Sequence, residues 1–95
     1  MSIQTIWDVI IVGGGPAGLS AAIAAAERPN TKVLICERDE VAGGIPRHCE
    51  HTGWGIRDLR WNYSGPSYAH KLTSLAQKTG AKILTGTTIR KIETT

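Results

Sequence analysis

The sequence predicts an α/β fold built on a parallel sheet, and three observations support this prediction. Residues 9–12 read VIIV, a continuous apolar run typical of a strand buried on both faces. A glycine-rich turn follows at once, and residues 19–27 (LSAAIAAAE) are rich in good helix formers. Residues 32–36 (KVLIC) form a second short apolar run. Strand, turn, helix and strand therefore make one unit of about 30 residues.

The turn has the spacing G-x-G-x-x-G, with glycines at Gly13, Gly15 and Gly18. The first glycine permits a tight turn out of the strand, where we expect a Cβ to clash. The second lets the backbone approach a pyrophosphate, and the third lets the helix lie close to the strand. Pro16 suits the first helical turn, because its missing N–H would have had no partner there. The free N–H groups and the positive end of the helix dipole predict a dinucleotide site.

Glu37 stands at the carboxyl end of the second apolar run, 19 positions after Gly18. In a dinucleotide-binding unit, an acid at this place accepts hydrogen bonds from a ribose hydroxyl and disfavours a 2′-phosphate. Taken alone, Glu37 would be interpreted as a solvated charge at a strand end. The turn, the helix, the strand and the acid fall in register, however, and this favours the ribose interpretation.

Composition limits the class of protein. With 95 residues, 41% hydrophobic and 20% charged, the chain is ordinary for one small globular domain. A formal net charge of +3 is too weak to indicate nucleic acid. The uncharged stretch 9–26 is broken by glycines and a proline, so we expect no membrane span. Two cysteines, Cys36 and Cys49, are too few for a disulfide scaffold and suggest a cytoplasmic protein.

The rest of the chain continues the alternation of helix and strand. The first helix should run from Pro16 to about Glu27, and a second, amphipathic helix should cover residues 68–79, capped by Ser67 and ended by Gly80. Residues 82–85 predict a third parallel strand, which gives the sheet the order 3-2-1. The alternation of residues 87–93 predicts a half-buried strand at the start of a β-meander.

Residues 41–66 are rich in glycine and proline and lack a clear period. They hold too many aromatic side chains for a disordered linker, so we expect an ordered loop near the ligand. The run His48-Cys49-Glu50-His51 has metal-ligand residue types, but four adjacent residues seldom converge on one ion, and we predict no metal site. Three arginines of this region are candidates for binding a carboxylate or phosphate, although a solvated surface is favoured: Arg47, Arg57 and Arg60. Trp54 and Trp61 are interpreted as packing residues.

The segments DVIIVGGGPAGLSAAI and VLICERD, followed by Gly43-Gly44, resemble the amino-terminal part of flavoproteins with two dinucleotide-binding domains. These are the FAD enzymes of the glutathione-reductase and thioredoxin-reductase fold group. The Gly-Gly pair beyond the ribose acid distinguishes this pattern from a plain NAD unit. The stretch IPRHCEHTGWGIRDLRWNYSGPSYAHKL resembles a branch associated with oxidation of amino and imino acids, opine-oxidase-like subunits among them. The resemblance implies a Rossmann-like FAD/NAD(P)-binding unit of three layers.

The resemblance also implies a role for particular residues. The pyrophosphate would be held by Gly13, Gly15, Pro16, Ala17 and Gly18. Glu37 would bind the adenosine ribose, and Arg38 would flank the adenine. Gly43, Gly44 and Ile45 would run past the pyrophosphate toward the flavin, and Ile89 would touch the adenine through its backbone. One of His48, Cys49 and His51 would line the flavin pocket, with a structural hydrogen-bonding role as the alternative.

The expected function is the FAD-binding segment of a flavin-dependent oxidoreductase, in which substrate hydride passes to the flavin. Residues 1–95 would be the amino-terminal portion of that FAD-binding domain, inactive alone. The close-spaced redox cysteines of disulfide reductases are missing after Gly44, which disfavours disulfide reduction. The expected partners are FAD and a small-molecule substrate, an amino or imino acid in the narrower resemblance, with homo- or hetero-oligomers both open. The alternatives are an NAD(P)-binding dehydrogenase unit and a non-catalytic nucleotide-binding or assembly subunit of a hetero-oligomer.

Overall fold

The computed structural model describes residues 6–49, 51–57, 59–60 and 62–94. Glu50, Asp58 and Trp61 therefore lie outside the described residues. In chain order the elements are β1 (Val9–Val12), α1 (Pro16–Ala26), β2 (Val33–Cys36), a 3₁₀ helix (Ile45–His48), β3 (Thr52–Trp54), β4 (Tyr63–Ser64), α2 (Gly65–Lys78) and β5 (Lys82–Leu84). The strands of the main sheet and the two α-helices alternate as the sequence predicts, and the 3₁₀ helix, β3 and β4 are inserted between β2 and α2.

The main sheet is parallel and has the order β1-β2-β5, which confirms the predicted order 3-2-1. Val12 lies opposite Cys36, and Cys36 lies opposite Leu84, so all three strands end at the same edge. The strands are short runs of branched apolar residues, and β2 is buried along its whole length. Parallel strands with this burial need cover on both faces.

Both helices pack together on one face of the sheet, and the core lies between them and β2. Leu19 of α1, Ile35 of β2 and Leu72 of α2 are almost fully buried there. Each such side chain stabilises the fold by about 1.5–3 kcal/mol relative to an exposed one. On the other face of β1, Ile10 and Val12 are 54% and 61% exposed. No helix within the described ranges is long and apolar enough to cross a membrane.

The described part of residues 41–66 contains regular structure that the sequence did not predict. A 3₁₀ helix follows Gly44, and β3 pairs with β4 in an antiparallel hairpin with a register shift between Thr52 and Trp54. Trp54 stacks on Tyr68 of α2 with ring centroids 5.9 Å apart, and His51 stacks on Trp54 at 5.7 Å. These contacts bear out the interpretation of Trp54 as a packing residue.

The second helix begins earlier than predicted, because Ser64 rather than Ser67 is its N-cap. The Ser64 hydroxyl accepts a hydrogen bond from the Ser67 N–H at 3.4 Å, and Pro66 occupies the first turn, where a missing N–H costs nothing. Gly65 is the first residue of the helix, and glycine is required there because a Cβ would overlap the carbonyl oxygens of Pro46 and Cys49. At the other end Gly80 takes φ +92° just beyond the helix, as predicted.

The strand predicted at Thr87–Glu93 is wrong: residues 87–94 form no strand in the structure. Their start is fixed by hydrogen bonds from the Gly86 N–H to the Asp39 carbonyl and from the Thr87 N–H to the Glu37 carbonyl, both 2.8 Å. Beyond this point no described strand lies alongside them, and Ile92 is 77% exposed. An alternating sequence forms a strand only when another strand satisfies its backbone groups.

Candidate functional site

The glycine turn joins β1 to α1 at the carboxyl edge of the sheet. Gly13 continues the ladder, since its N–H donates to the Cys36 carbonyl at 2.8 Å, and it then takes φ +100°. The expectation that a Cβ would clash at Gly13 is wrong, because no atom lies within 4 Å of that position. Glycine is favoured at Gly13 because its backbone conformation is one that residues with a Cβ rarely adopt.

Gly14 connects three segments, a role that the sequence analysis did not assign to it. Its N–H donates to Glu37 Oε1 at 2.8 Å, and its carbonyl accepts from the Gly43 N–H at 2.7 Å. A Cβ on Gly14 would lie 3.2 Å from the Ala42 Cβ. The signal available in the sequence was a glycine at a variable position of the motif, the middle one of three consecutive glycines.

Gly18 and Gly15 are glycines for different reasons. A Cβ on Gly18 would overlap the Gly13 carbonyl oxygen, so the close packing of helix on strand requires glycine there, as predicted. Gly15 has ordinary extended backbone geometry (φ −78°, ψ −175°). A Cβ added to Gly15 would have Gly44 Cα, 3.8 Å away, as its nearest neighbour. Nothing within the described chain requires glycine at position 15. Its surface is therefore open for close approach from outside.

The amino end of α1 offers free N–H groups beside that open surface. No side chain caps the helix, its first turn contains no acid, and its first position is Pro16. The Leu19 N–H already bonds to the Gly15 carbonyl at 2.9 Å, so the Ala17 and Gly18 N–H groups are those that a helix leaves without internal acceptors. Such an end favours a bound anion.

The Glu37 carboxylate is buried and is held by backbone on both sides. Oε1 accepts from the Gly14 N–H at 2.8 Å, and Oε2 accepts from the Asp39 N–H at 2.7 Å. Burial raises the pKa of this carboxyl, but the N–H groups of Asp39 and Gly14 and the charge of Arg38 together lower it below its ordinary value of 4.5. Glu37 is therefore ionised at neutral pH, and each oxygen keeps a lone pair for a further donor.

A cleft of about 310 Å³ opens at the carboxyl ends of β1 and β2. It brings together four of the residues named from the sequence: Gly13, Glu37, Arg38 and Ile89. Its other walls were not foreseen, and they are Val12, Cys36, Thr87 and Thr88. Cys36 is 3% exposed, and burial raises the pKa of its thiol.

The Gly43-Gly44 segment lies directly against the glycine turn. A Cβ on Gly44, where φ is +66°, would stand 2.9 Å from Gly15 Cα and 3.3 Å from Pro16 Cδ. Gly43, at φ +127°, is packed against Ala69 of α2. Ile45 follows at the start of the 3₁₀ helix with 74% of its side chain exposed. The two glycine segments thus form one continuous surface.

The histidines and Cys49 lie outside the residues that line the cleft. His48 is exposed, and His51 stacks on Trp54 with its Nδ1 3.0 Å from the Thr52 carbonyl oxygen. Within the described ranges no three His, Cys, Asp or Glu side chains are grouped to hold a metal ion. Arg47 pairs with Asp39 at 3.4 Å.

Comparisons with known proteins agree with this geometry. The sequence profile of the FAD dependent oxidoreductase family matches residues 8–48. The chain is 34% identical over 84 residues to a flavin-containing amine oxidase of Oncorhynchus mykiss, covering 88% of the chain and 16% of that protein. It is 36% identical over 92 residues to thioredoxin reductase of Bacillus subtilis, covering 90% of the chain and 26% of that protein.

A solved thioredoxin reductase of Streptococcus pyogenes superposes with a TM-score of 0.69 at 29% identity, covering 83% of the chain and 24% of that structure. The chain therefore spans about a quarter or less of the length of these relatives. The matched residues 8–48 contain β1, the glycine turn, α1, β2, Glu37 and Gly43-Gly44, and they leave out the part of the cleft wall formed by Thr87, Thr88 and Ile89. Over residues 8–48 the chain is similar in sequence to the FAD dependent oxidoreductase family, and its fold is similar to that of thioredoxin reductase.

Proposed function

We propose that this chain binds the adenosine diphosphate half of FAD as the amino-terminal portion, residues 1–95, of the FAD-binding domain of a longer oxidoreductase. The observation that carries the proposal is Gly15. Its backbone needs no glycine, yet a Cβ would fill the open surface in front of the uncapped end of α1. A ligand that approaches the backbone closely explains glycine at this position.

The pyrophosphate would lie on this surface. The Ala17 and Gly18 N–H groups would donate to its oxygens, and the dipole of α1 would favour its charge. Pro16 fixes the start of the helix without contributing an N–H. Gly13 sets the turn, and Gly43, Gly44 and Ile45 would carry the surface onward past the pyrophosphate.

The adenosine would occupy the cleft of about 310 Å³. Glu37 would accept the ribose hydroxyls on the lone pairs that its two backbone hydrogen bonds leave free. Arg38 would flank the adenine, and Ile89 would contact it through backbone. Because Glu37 is ionised, a 2′-phosphate in the same place would be repelled.

Bound FAD supplies the hydride chemistry, as cofactors do in enzymes of this kind. The residues of this chain bind and orient the cofactor, and the catalytic residues are expected outside it. An amino or imino acid is the proposed substrate class; the likeness to a protein named a flavin-containing amine oxidase supports it. Assembly into an oligomer and a cytoplasmic location are further parts of the proposal that rest on the sequence alone.

The test is a titration of the purified chain with FAD, ADP, FMN, NAD and NADP, followed by calorimetry and tryptophan quenching. FAD and ADP should both bind, because the proposed contacts are to adenosine diphosphate, whereas FMN, which lacks adenosine, should not. NADP should bind more weakly than NAD, because Glu37 opposes a 2′-phosphate. A preference for NAD over FAD would instead favour a dehydrogenase unit. Failure of every adenine nucleotide to bind would favour an assembly subunit.

A further inference from the structure

A second, smaller pocket lies between residues 41–47 and the amino-terminal half of α2. Its volume is about 110 Å³, well below the roughly 300 Å³ at which pockets for drug-sized ligands begin. Ala42 lines this pocket while its Cβ faces Gly14, and the pocket shares no lining residue with the adenosine cleft. The space suits an organic molecule of about five or six heavy atoms and excludes a nucleotide.

The pocket combines apolar walls with cationic or donor groups at one side. Its apolar walls are Val41, Ala42, Pro66 and Ala69. Its polar residues are Arg47, His70 and Thr73. The Thr73 hydroxyl already donates to the Ala69 carbonyl at 2.8 Å, so the donors left for a ligand belong to Arg47 and His70. No carboxylate is among the residues that line the pocket.

The Arg47 guanidinium is incompletely satisfied. Its Nε is buried and has no hydrogen-bond partner among the described residues. One terminal nitrogen reaches Asp39 Oδ2 at 3.4 Å, which is long beside the roughly 2.7–2.9 Å of a good charge-assisted bond. Because the buried Nε cannot be reached from the pocket, the donors for a ligand are the N–H groups of the two terminal nitrogens, which have the planar arrangement that recognises carboxylates bidentately and of which only one contacts Asp39.

We propose that this pocket binds a small aliphatic carboxylate, with Arg47 holding the carboxylate and the apolar walls holding the short chain. An inorganic phosphate is the poorer ligand, because the apolar walls would leave some of its oxygens buried without donors. The ligand is recognised by its charge and its tail together. The pocket shares no lining residue with the proposed adenosine cleft, so its test needs no FAD.

The experiment is an NMR titration of the ¹⁵N-labelled chain with propionate, with its neutral isostere propionamide, and with inorganic phosphate. Propionate should shift the backbone amides of Ala42, Ala69 and Thr73 and the Arg47 Nε–H resonance in a saturable way. Propionamide and phosphate should bind at least about tenfold more weakly, because one lacks the charge and the other lacks the apolar tail. Equal binding of propionamide, tighter binding of phosphate, or no saturable shift with propionate would each overturn the proposal.

Two variants assign the effect to the pocket. Arg47→Gln should weaken propionate binding at least about tenfold, whereas Arg57→Gln, which changes an exposed arginine outside the pocket, should leave it unchanged. If Arg47→Gln does not fold, His70→Asp provides the same test, because His70 is exposed and a carboxylate there would repel the ligand or occupy Arg47. If propionate binds unchanged to Arg47→Gln, or to His70→Asp where Arg47→Gln does not fold, the pocket is not the binding site.

Discussion

Replacing Gly15 by alanine should leave the fold intact and weaken FAD binding. The backbone at Gly15 suits any residue, and a Cβ would meet only Gly44 Cα at an ordinary 3.8 Å. The stability of the variant should stay within about 1 kcal/mol of wild type, because the restriction that alanine places on the unfolded chain offsets the preference for glycine over alanine at an N-cap. The new methyl group stands where the pyrophosphate is proposed to lie. Loss of one hydrogen bond to a charged group, about 1.5–3 kcal/mol, corresponds to roughly 10- to 150-fold in Kd.

Gly18→Ala is the matched comparison. It makes the same substitution in the same turn, but at a position where packing within the chain requires glycine. Its Cβ would overlap the Gly13 carbonyl oxygen, so α1 must move away from β1. Overpacking of this kind typically costs about 1–3 kcal/mol of stability. Any loss of FAD affinity in Gly18→Ala should therefore accompany a lower midpoint in urea, whereas in Gly15→Ala it should not.

The two properties are measured separately, by calorimetric titration with FAD and by urea unfolding followed through tryptophan fluorescence. An FAD Kd for Gly15→Ala within about twofold of the wild-type value would refute the placement of the pyrophosphate at Gly15. A large loss of stability in Gly15→Ala would refute the premise that nothing within the chain requires glycine there.

Three further predictions follow from individual contacts. Because the pKa of Glu37 is lowered in the folded state, its ionised form should stabilise the fold above pH 4.5 and stop doing so as the pH falls through the folded pKa. Glu37→Gln should therefore cost about 1–3 kcal/mol at pH 7, and the difference from wild type in urea unfolding should shrink in acid. Ser64→Ala should lower stability by about 0.5–2 kcal/mol in thermal melts, whereas Ser67→Ala should have little effect, because only Ser64 caps α2. Iodoacetamide should modify the half-buried Cys49 before Cys36, as peptide mass spectrometry would show, because burial raises the pKa of the Cys36 thiol.

The sequence predicts the fold of residues 9–37 well, because their signals are local. An apolar run, a glycine spacing, a helix-forming segment and an acid each report on neighbouring residues. The start of α2 could not be placed in the same way. Ser64 and Ser67 are both suitable caps, and what favours Ser64 is the packing of Gly65 beneath the carbonyls of a distant 3₁₀ helix.

The other failures have the same origin. β3 and β4 have three and two residues, too few for a period to be visible in sequence, and they form because they pair with each other. Residues 87–93 show the opposite case, a clear alternation without a described strand to pair with. The role of Gly14 was also hidden, because its partners, Glu37 and Gly43, are 23 and 29 positions away.

The contacts of Glu37 explain how a buried acid can serve both the fold and the proposed ligand. Its two oxygens are fixed by the N–H groups of Gly14 and Asp39, so the carboxylate is already oriented before a ribose arrives. Ordering a free side chain on binding typically costs about 0.5–1.5 kcal/mol. The Glu37 side chain is already ordered in the folded chain, so binding does not have to order it. The hydrogen bond from the Gly14 N–H attaches the glycine turn to the end of β2, so the proposed pyrophosphate surface and Glu37 are held together. A substitution at Glu37 should therefore alter the fold and the site together, whereas Gly15→Ala should alter the site alone.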